Sequence, residues 1–179
     1  MTINNIKIFK HDDMVKMYSF IVEDFHTYFV SDLGIWVHNI SGCLTADALR
    51  KVGNDILDKM EEAGGHTLER HVSKTNEDLI KRANKEDVEA TTSFTDKSTA
   101  IRSVQENLRK NADGIVKWVN ESEKARVVFD VKHDNAIGKG VLQDKKTVKY
   151  DLNYSRIVVV KDVNQELGFR IITAFPIVK

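Results

Sequence analysis

Two histidines, His66 and His71, stand five residues apart in the stretch Gly64-Gly65-His66-Thr67-Leu68-Glu69-Arg70-His71-Val72. Imidazole is the side chain that both takes and gives a proton near neutral pH. Arg70 lies inside the stretch and Arg82 follows it, and guanidinium groups carry a fixed positive charge with donors suited to phosphate or carboxylate. A glycine-hinged turn holding two imidazoles beside two arginines suits general acid–base work on an anionic substrate.

Other chemistries have weaker footing in the chain. No Gly-x-Ser-x-Gly elbow is present, and the one cysteine, Cys43, has no partner motif; a buried or incidental thiol is its expected role. A single cysteine also excludes an intramolecular disulfide and a multi-thiolate zinc site. His66 and His71 do not form a His-Glu-x-x-His pattern, and no phosphate-binding glycine loop follows a strand, so neither a metal nor a cofactor is expected. RNA needs neither, because its 2′-OH is the nucleophile. One group must remove that proton, a cation must stabilise the phosphorane oxygens, and another group must protonate the departing 5′-oxygen.

The elements that must hold these groups follow from hydrophobic spacing. Leu49, Val52, Ile56, Leu57 and Met60 recur at helical intervals, which predicts one helix over 45–63, capped by Thr45 and stopped by Gly64-Gly65. Thr75-Asn76-Glu77-Asp78 is a candidate capping box opening a helix to about Ala83. A third helix is expected from Asp96 to about Asn120, with a break permitted near Asn111–Gly114. Beyond Glu123 the period becomes strand-like. Strands are expected at 125–131, 147–150, 156–161 and 170–175, with a turn at Gly138-Lys139-Gly140 and pairing between 147–150 and 125–131. Helices followed by strands predict an α+β fold with an antiparallel sheet.

Composition agrees with a well-cored domain and a small appendage. The 179 residues are 41% hydrophobic and 30% charged, and formal net charge is zero. No run is long and apolar enough for a membrane span, and no signal peptide opens the chain. Residues 1–39 hold three lysines and five acidic residues, leaving 24 basic and 22 acidic residues beyond. That excess is too small to argue nucleic-acid binding from charge.

Short aromatic and β-branched runs in residues 1–39 predict hairpins, too few for an independent core. Tyr18-Ser19-Phe20-Ile21-Val22-Glu23-Asp24-Phe25-His26-Thr27-Tyr28-Phe29-Val30 and Leu33-Gly34-Ile35-Trp36-Val37-His38-Asn39 resemble the C-terminal end of Hint (intein-like) domains, which precede toxin domains in polymorphic bacterial toxins. The resemblance implies that Asn39, assisted by His38, belongs to an autoprocessing site. It places a former boundary after Asn39, with residues 1–39 an inactive β-rich remnant and 40–179 the toxin domain.

The second part of the chain carries its own resemblance. Gly64-Gly65-His66, Arg70-His71-Val72, Lys74-Thr75, Leu79, Arg82, Ala90-Thr91-Thr92-Ser93-Phe94, Asp96, Thr99-Ala100 and Gly168-Phe169-Arg170-Ile171-Ile172-Thr173-Ala174-Phe175-Pro176 resemble the RNase A-like toxin domains of contact-dependent growth-inhibition systems. This implies a curved antiparallel sheet preceded by helices, metal-independent endoribonuclease activity with no cofactor, and a cognate immunity protein as partner besides RNA. It also implies secretion or delivery within a larger toxin and action in the target-cell cytoplasm. By the same resemblance His71 is the principal acid–base residue, Arg82 the transition-state cation and Thr173 a hydroxyl donor. His66 is either a second acid–base group or a brace for the turn, and Phe175 packs or stacks on a base.

Two positions depart from that family's pattern: Phe175 where Tyr is favoured, and Ser73 where Gly is favoured. Two rivals stay open, a nucleotide- or NAD-dependent toxin chemistry and an inactive module that binds an immunity protein.

Overall fold

Two β-strands, β1 (Thr27–Val30) and β2 (Ile35–His38), pair antiparallel with Thr27 opposite His38. They belong to a unit spanning Met1–Gly42; a second unit spans Cys43–Lys179. The structure, a computed structural model, describes residues 44–179 and the backbone of these two strands. The expected strands before Thr27, the thiol of Cys43 and the Asn39 position lie outside the described residues.

Within the second unit the order is α1 (Ala46–Arg50), α2 (Ile56–Glu62), α3 (Thr67–His71), α4 (Asn76–Ala83), β3 (Ala90–Phe94), α5 (Lys97–Lys110), α6 (Ala112–Glu121), β4 (Arg126–Lys132), β5 (Gly138–Leu142), β6 (Val148–Leu152), β7 (Tyr154–Lys161) and β8 (Phe169–Ile177). The fold is α+β, as the sequence pattern predicts. Its strands form two antiparallel three-stranded sheets, ordered β3-β5-β6 and β4-β7-β8, rather than one continuous sheet. No helix among the described residues is long and apolar enough to cross a membrane.

Several local expectations change. The helix expected over 45–63 is two helices, because the chain leaves helical geometry at Lys51 and turns through Gly53 before Asp55 restarts it. Leu49, Ile56, Leu57 and Met60 are nonetheless buried in one core, so the apolar stripe survives the break. The break permitted in the third helix is realised at Asn111, which ends α5 and precedes α6.

The Gly138-Lys139-Gly140 segment is no turn; it begins β5, the central strand of its sheet. A Cβ on Gly138 would lie 2.2 Å from the Ser93 carbonyl oxygen and 2.8 Å from Pro176. Glycine here permits two backbones and a proline ring to meet, a use that sequence reading confuses with a turn. β6 accordingly pairs with β5, not with β4. β3 falls between helices, from a run of threonines that the strand reading passed over.

The main core gathers Leu57, Phe94, Leu108, Ile115, Ile157, Val159, Phe169 and Ile171 between the helices and the β4-β7-β8 sheet. Burial of such side chains contributes about 1.5–3 kcal/mol each. A smaller cluster of Leu79, Ala83 and Val141 seats α4 on the other sheet. His133 joins the two layers: its Nδ1 lies 2.7 Å from Glu106 of α5 and its Nε2 2.8 Å from the Ser155 hydroxyl of β7. With Ser155 fully buried, this network is a pin for α5 and not a hydrolytic triad open to substrate.

Candidate active site

The stretch Gly64–Val72 is a one-turn stop followed by a short helix. Gly64 takes φ +90°, which ends α2 as expected. His66 then occupies the N-cap position of α3, and His71 is its last residue. The site is therefore the two ends of a five-residue helix, not a flexible turn. A helix this short is not stable alone, and three sets of contacts hold it.

The Glu61 carboxylate accepts from the backbone N–H groups of Leu68 and Glu69 at 3.1 and 2.8 Å, satisfying donors the helix leaves open. The His66 N–H donates to Ile172 of β8 at 2.9 Å. The Ala174 N–H of β8 donates to the Thr67 hydroxyl at 2.8 Å. β8 thereby fixes the N-terminal end of α3, while β3 fixes the other end: Ser73 N–H donates to Phe94 O at 3.1 Å. Ser73 itself adopts φ +55°, left-handed geometry that glycine occupies without strain. The departure noted at this position thus falls on the residue that re-aims the chain after His71.

His71 is 7% exposed. Its Nδ1 lies 3.1 Å from the Thr92 backbone oxygen. A carbonyl can only accept, so Nδ1 carries the proton and Nε2 retains its lone pair. The Phe175 ring stacks on the imidazole, with centroids 5.0 Å apart and planes at 24°. Burial, then the Arg82 charge, push the His71 pKa down to about 3, against the Thr92 hydrogen bond; Arg70 and His66 add smaller effects in the downward direction. His71 is consequently neutral at pH 7, the form that accepts a proton.

Arg82 reaches back from α4. Its Nη1 donates to the Arg70 carbonyl at 2.9 Å, tying α4 to α3. Its Nε lies 3.4 Å from Glu86, close enough for attraction but not aligned as a hydrogen bond, and it has no hydrogen-bond partner among the described residues. Burial, opposed by Glu86, holds the Arg82 pKa below the usual guanidinium value. Glu86 also accepts from Arg70 Nη2 at 2.6 Å. One carboxylate therefore engages both arginines beside the histidine.

These groups open on a cleft of about 550 Å³ whose walls include His66, His71, Arg82, Glu86, Thr92 and Phe175. Arg70, Arg156 and Lys179 contribute further positive charge to it. Four of the sequence-derived residues thus share one cavity. Thr173 does not line it. It is buried in β8, two residues from Phe175, and its hydroxyl has no hydrogen-bond partner among the described residues. An orphaned buried hydroxyl costs about 1–3 kcal/mol. His38 lies at the end of β2 in the first unit.

Sequence reasoning did not single out Glu86, the Thr92 carbonyl, Arg156 or Lys179. Glu86 had a signal, since it stands four residues after Arg82. The other three had none: strand pairing brings Thr92 and Arg156 to the cleft, and Lys179 follows the end of β8.

A model of the bacterial CdiA-CT RNase A domain family matches residues 65–176. The chain is similar to a solved structure described as the crystal structure of a CdiA-CT/CdiI complex from Y. kristensenii 33638. The two are 29% identical over 64% of this chain and 100% of that one, with a TM-score of 0.60. No curated protein matches the chain.

Proposed function

The chain belongs to the bacterial CdiA-CT RNase A domain family, and from that premise we propose that it is a ribonuclease toxin of contact-dependent inhibition that cuts RNA through the 2′-OH without a metal ion. The observation that carries this reading is the engagement of His71 Nδ1 by Thr92, which leaves Nε2 as the ring nitrogen free to act as base.

In the proposed reaction His71 Nε2 takes the 2′-OH proton as the 2′-oxygen attacks phosphorus. Arg82 neutralises the charge gathering on the non-bridging oxygens. The P–O5′ bond breaks, and the 5′-oxygen receives a proton from His66 in its protonated form at the opposite end of α3. The products are a 2′,3′-cyclic phosphate and a 5′-hydroxyl. Thr173, which does not line the cleft, is given no step in this scheme. An arriving phosphate also offsets the charges of Arg82 and Arg70, which depress the His71 pKa after burial, and so moves it upward.

The similarity to a CdiA-CT/CdiI complex supports a cognate immunity protein as the natural partner. An acidic surface on that protein would complement Arg70, Arg82, Arg156 and Lys179 in the cleft. Action in the cytoplasm of a target cell after delivery within a larger toxin follows from the same reading. Residues 1–39 would be the Hint-like end of the preceding domain, with His38 and Asn39 its former processing pair.

The test is total RNA incubated with the protein and with His71→Ala in excess chelator. Cleavage by the parent alone, yielding 2′,3′-cyclic phosphate ends, is the expected result. Retained cleavage by a folded His71→Ala protein would end the assignment, and activity that requires NAD or a nucleotide would replace it with the rival chemistry.

A further inference from the structure

The cleft does not end at Arg82. A neighbouring recess of about 260 Å³ shares Arg70 and Arg82 with it and adds Lys74. Lys74 in turn lines a third recess of about 590 Å³, together with Ser73, Thr95, Lys139 and Tyr150. Arg82, Arg70, Lys74 and Lys139 therefore succeed one another along a path that leaves the His71 cleft and finishes at an aromatic ring.

That ring stands on β6, an edge strand, and is 63% exposed. An exposed tyrosine at a sheet edge has no packing role, yet this one is held. Asn76, the first residue of α4, donates from Nδ2 to the Tyr150 hydroxyl at 2.8 Å. The tip of the ring is tethered while most of its surface stays in water.

Acidic groups accompany the path without cancelling it. Glu69 and Asp78 line the second recess and Glu77 the third. Asp78 is already committed to the Thr75 backbone N–H and hydroxyl in the capping box of α4. By formal charge each recess keeps an excess of one positive charge. Cations in series followed by a free aromatic face match a single nucleic-acid strand, which presents phosphates and stacking bases in alternation.

We infer that this path is a second RNA-binding subsite, in which Tyr150 stacks a base while Lys74 and Lys139 hold the flanking phosphates, outside the nucleotides that are cut. It rests on the ribonuclease reading above. The site would make the enzyme favour longer single strands over minimal substrates, because a dinucleotide that fills the His71 cleft cannot also reach β6.

Steady-state cleavage of a dinucleotide and of an unstructured octanucleotide, by the parent, Tyr150→Ala and Lys139→Gln, tests this directly. For Tyr150→Ala the octanucleotide KM is expected to rise about ten-fold, with its kcat and all dinucleotide parameters unchanged. Tyr150→Phe, which keeps the stacking face but loses the Asn76 tether, should fall between the parent and Tyr150→Ala. Octanucleotide KM values unchanged in both variants, or equal changes for both substrates, would overturn the subsite. Fluorescence anisotropy with a 2′-O-methyl octanucleotide, which cannot be cleaved, separates this from the catalytic reading. If no substrate is cut but Tyr150→Ala binds the strand more weakly, the ribonuclease assignment fails and the strand path stands. Equal binding by parent and variant overturns the path whatever the activity.

Discussion

His71 Nδ1 and the Thr92 backbone oxygen lie 3.1 Å apart, and this one contact selects the tautomer on which the proposed chemistry depends. It also links two elements, because Thr92 sits on β3 opposite Gly140 of β5. The imidazole is thus aimed by a strand far along the chain from its own helix.

The buried neutral state of His71 makes folding stability pH-dependent. With a folded pKa of about 3 and an ordinary value of 6.5, the unfolded chain binds the extra proton between those limits and the folded one does not. Stability is therefore at its full value above about pH 6.5 and is lost as pH falls from there toward 3, by about 1.4 kcal/mol per unit from this group. His71→Gln should flatten that slope in denaturant titrations between pH 6 and 4. An unchanged slope would show that the imidazole titrates normally in the folded protein.

Arg82 has two tasks, tying α4 to the Arg70 carbonyl and facing the substrate. Lysine keeps the charge but lacks the fork that does both at once. Arg82→Lys is expected to lower kcat by about 100-fold or more with a far-UV spectrum like the parent's. The His71 pKa in Arg82→Ala, followed by NMR titration, should move upward because a neighbouring positive charge is gone.

Glu86 holds Arg70 at 2.6 Å and lies 3.4 Å from Arg82, where an anionic ligand would compete with it. Glu86→Gln retains an acceptor for Arg70 without the charge. Inorganic phosphate should then inhibit at several-fold lower concentration than in the parent. Weaker inhibition would mean instead that the carboxylate is needed to hold the two guanidinium groups in place.

Ser73 carries φ +55° in the segment that turns the chain from α3 toward α4. Left-handed geometry costs an L-residue about 1–2 kcal/mol, part of which glycine gives back through its looser unfolded state. Ser73→Gly is expected to stabilise the protein by about 1 kcal/mol in chemical denaturation, with activity retained. A loss of stability would place the serine side chain in a contact worth more than the strain.

Signals that act within a few residues were open to reading from the chain alone. The Thr75–Asp78 capping box forms with both of its reciprocal bonds, Gly64 stops α2 with a positive φ, and the strands near 126–132 and 154–161 follow from runs of β-branched residues. The ordered motifs from Gly65 to Pro176 likewise sufficed to suggest the family, since motif order is a property of sequence. Tertiary structure decided what depends on partners distant in the chain. Gly138 and Gly140 have the composition of a turn, and only the approach of the Ser93 carbonyl and Pro176 makes Gly138 part of a central strand. The Thr92 carbonyl has no side-chain signature, so nothing local could assign it the aiming of His71. Thr173 and Phe175 look equivalent along β8, yet Phe175 reaches the cleft and stacks on His71, whereas Thr173 is buried outside the cleft lining. Periodicity records which residues prefer a core; which backbone meets which side chain is settled by long-range pairing, whose energy appears only once the chain has closed on itself.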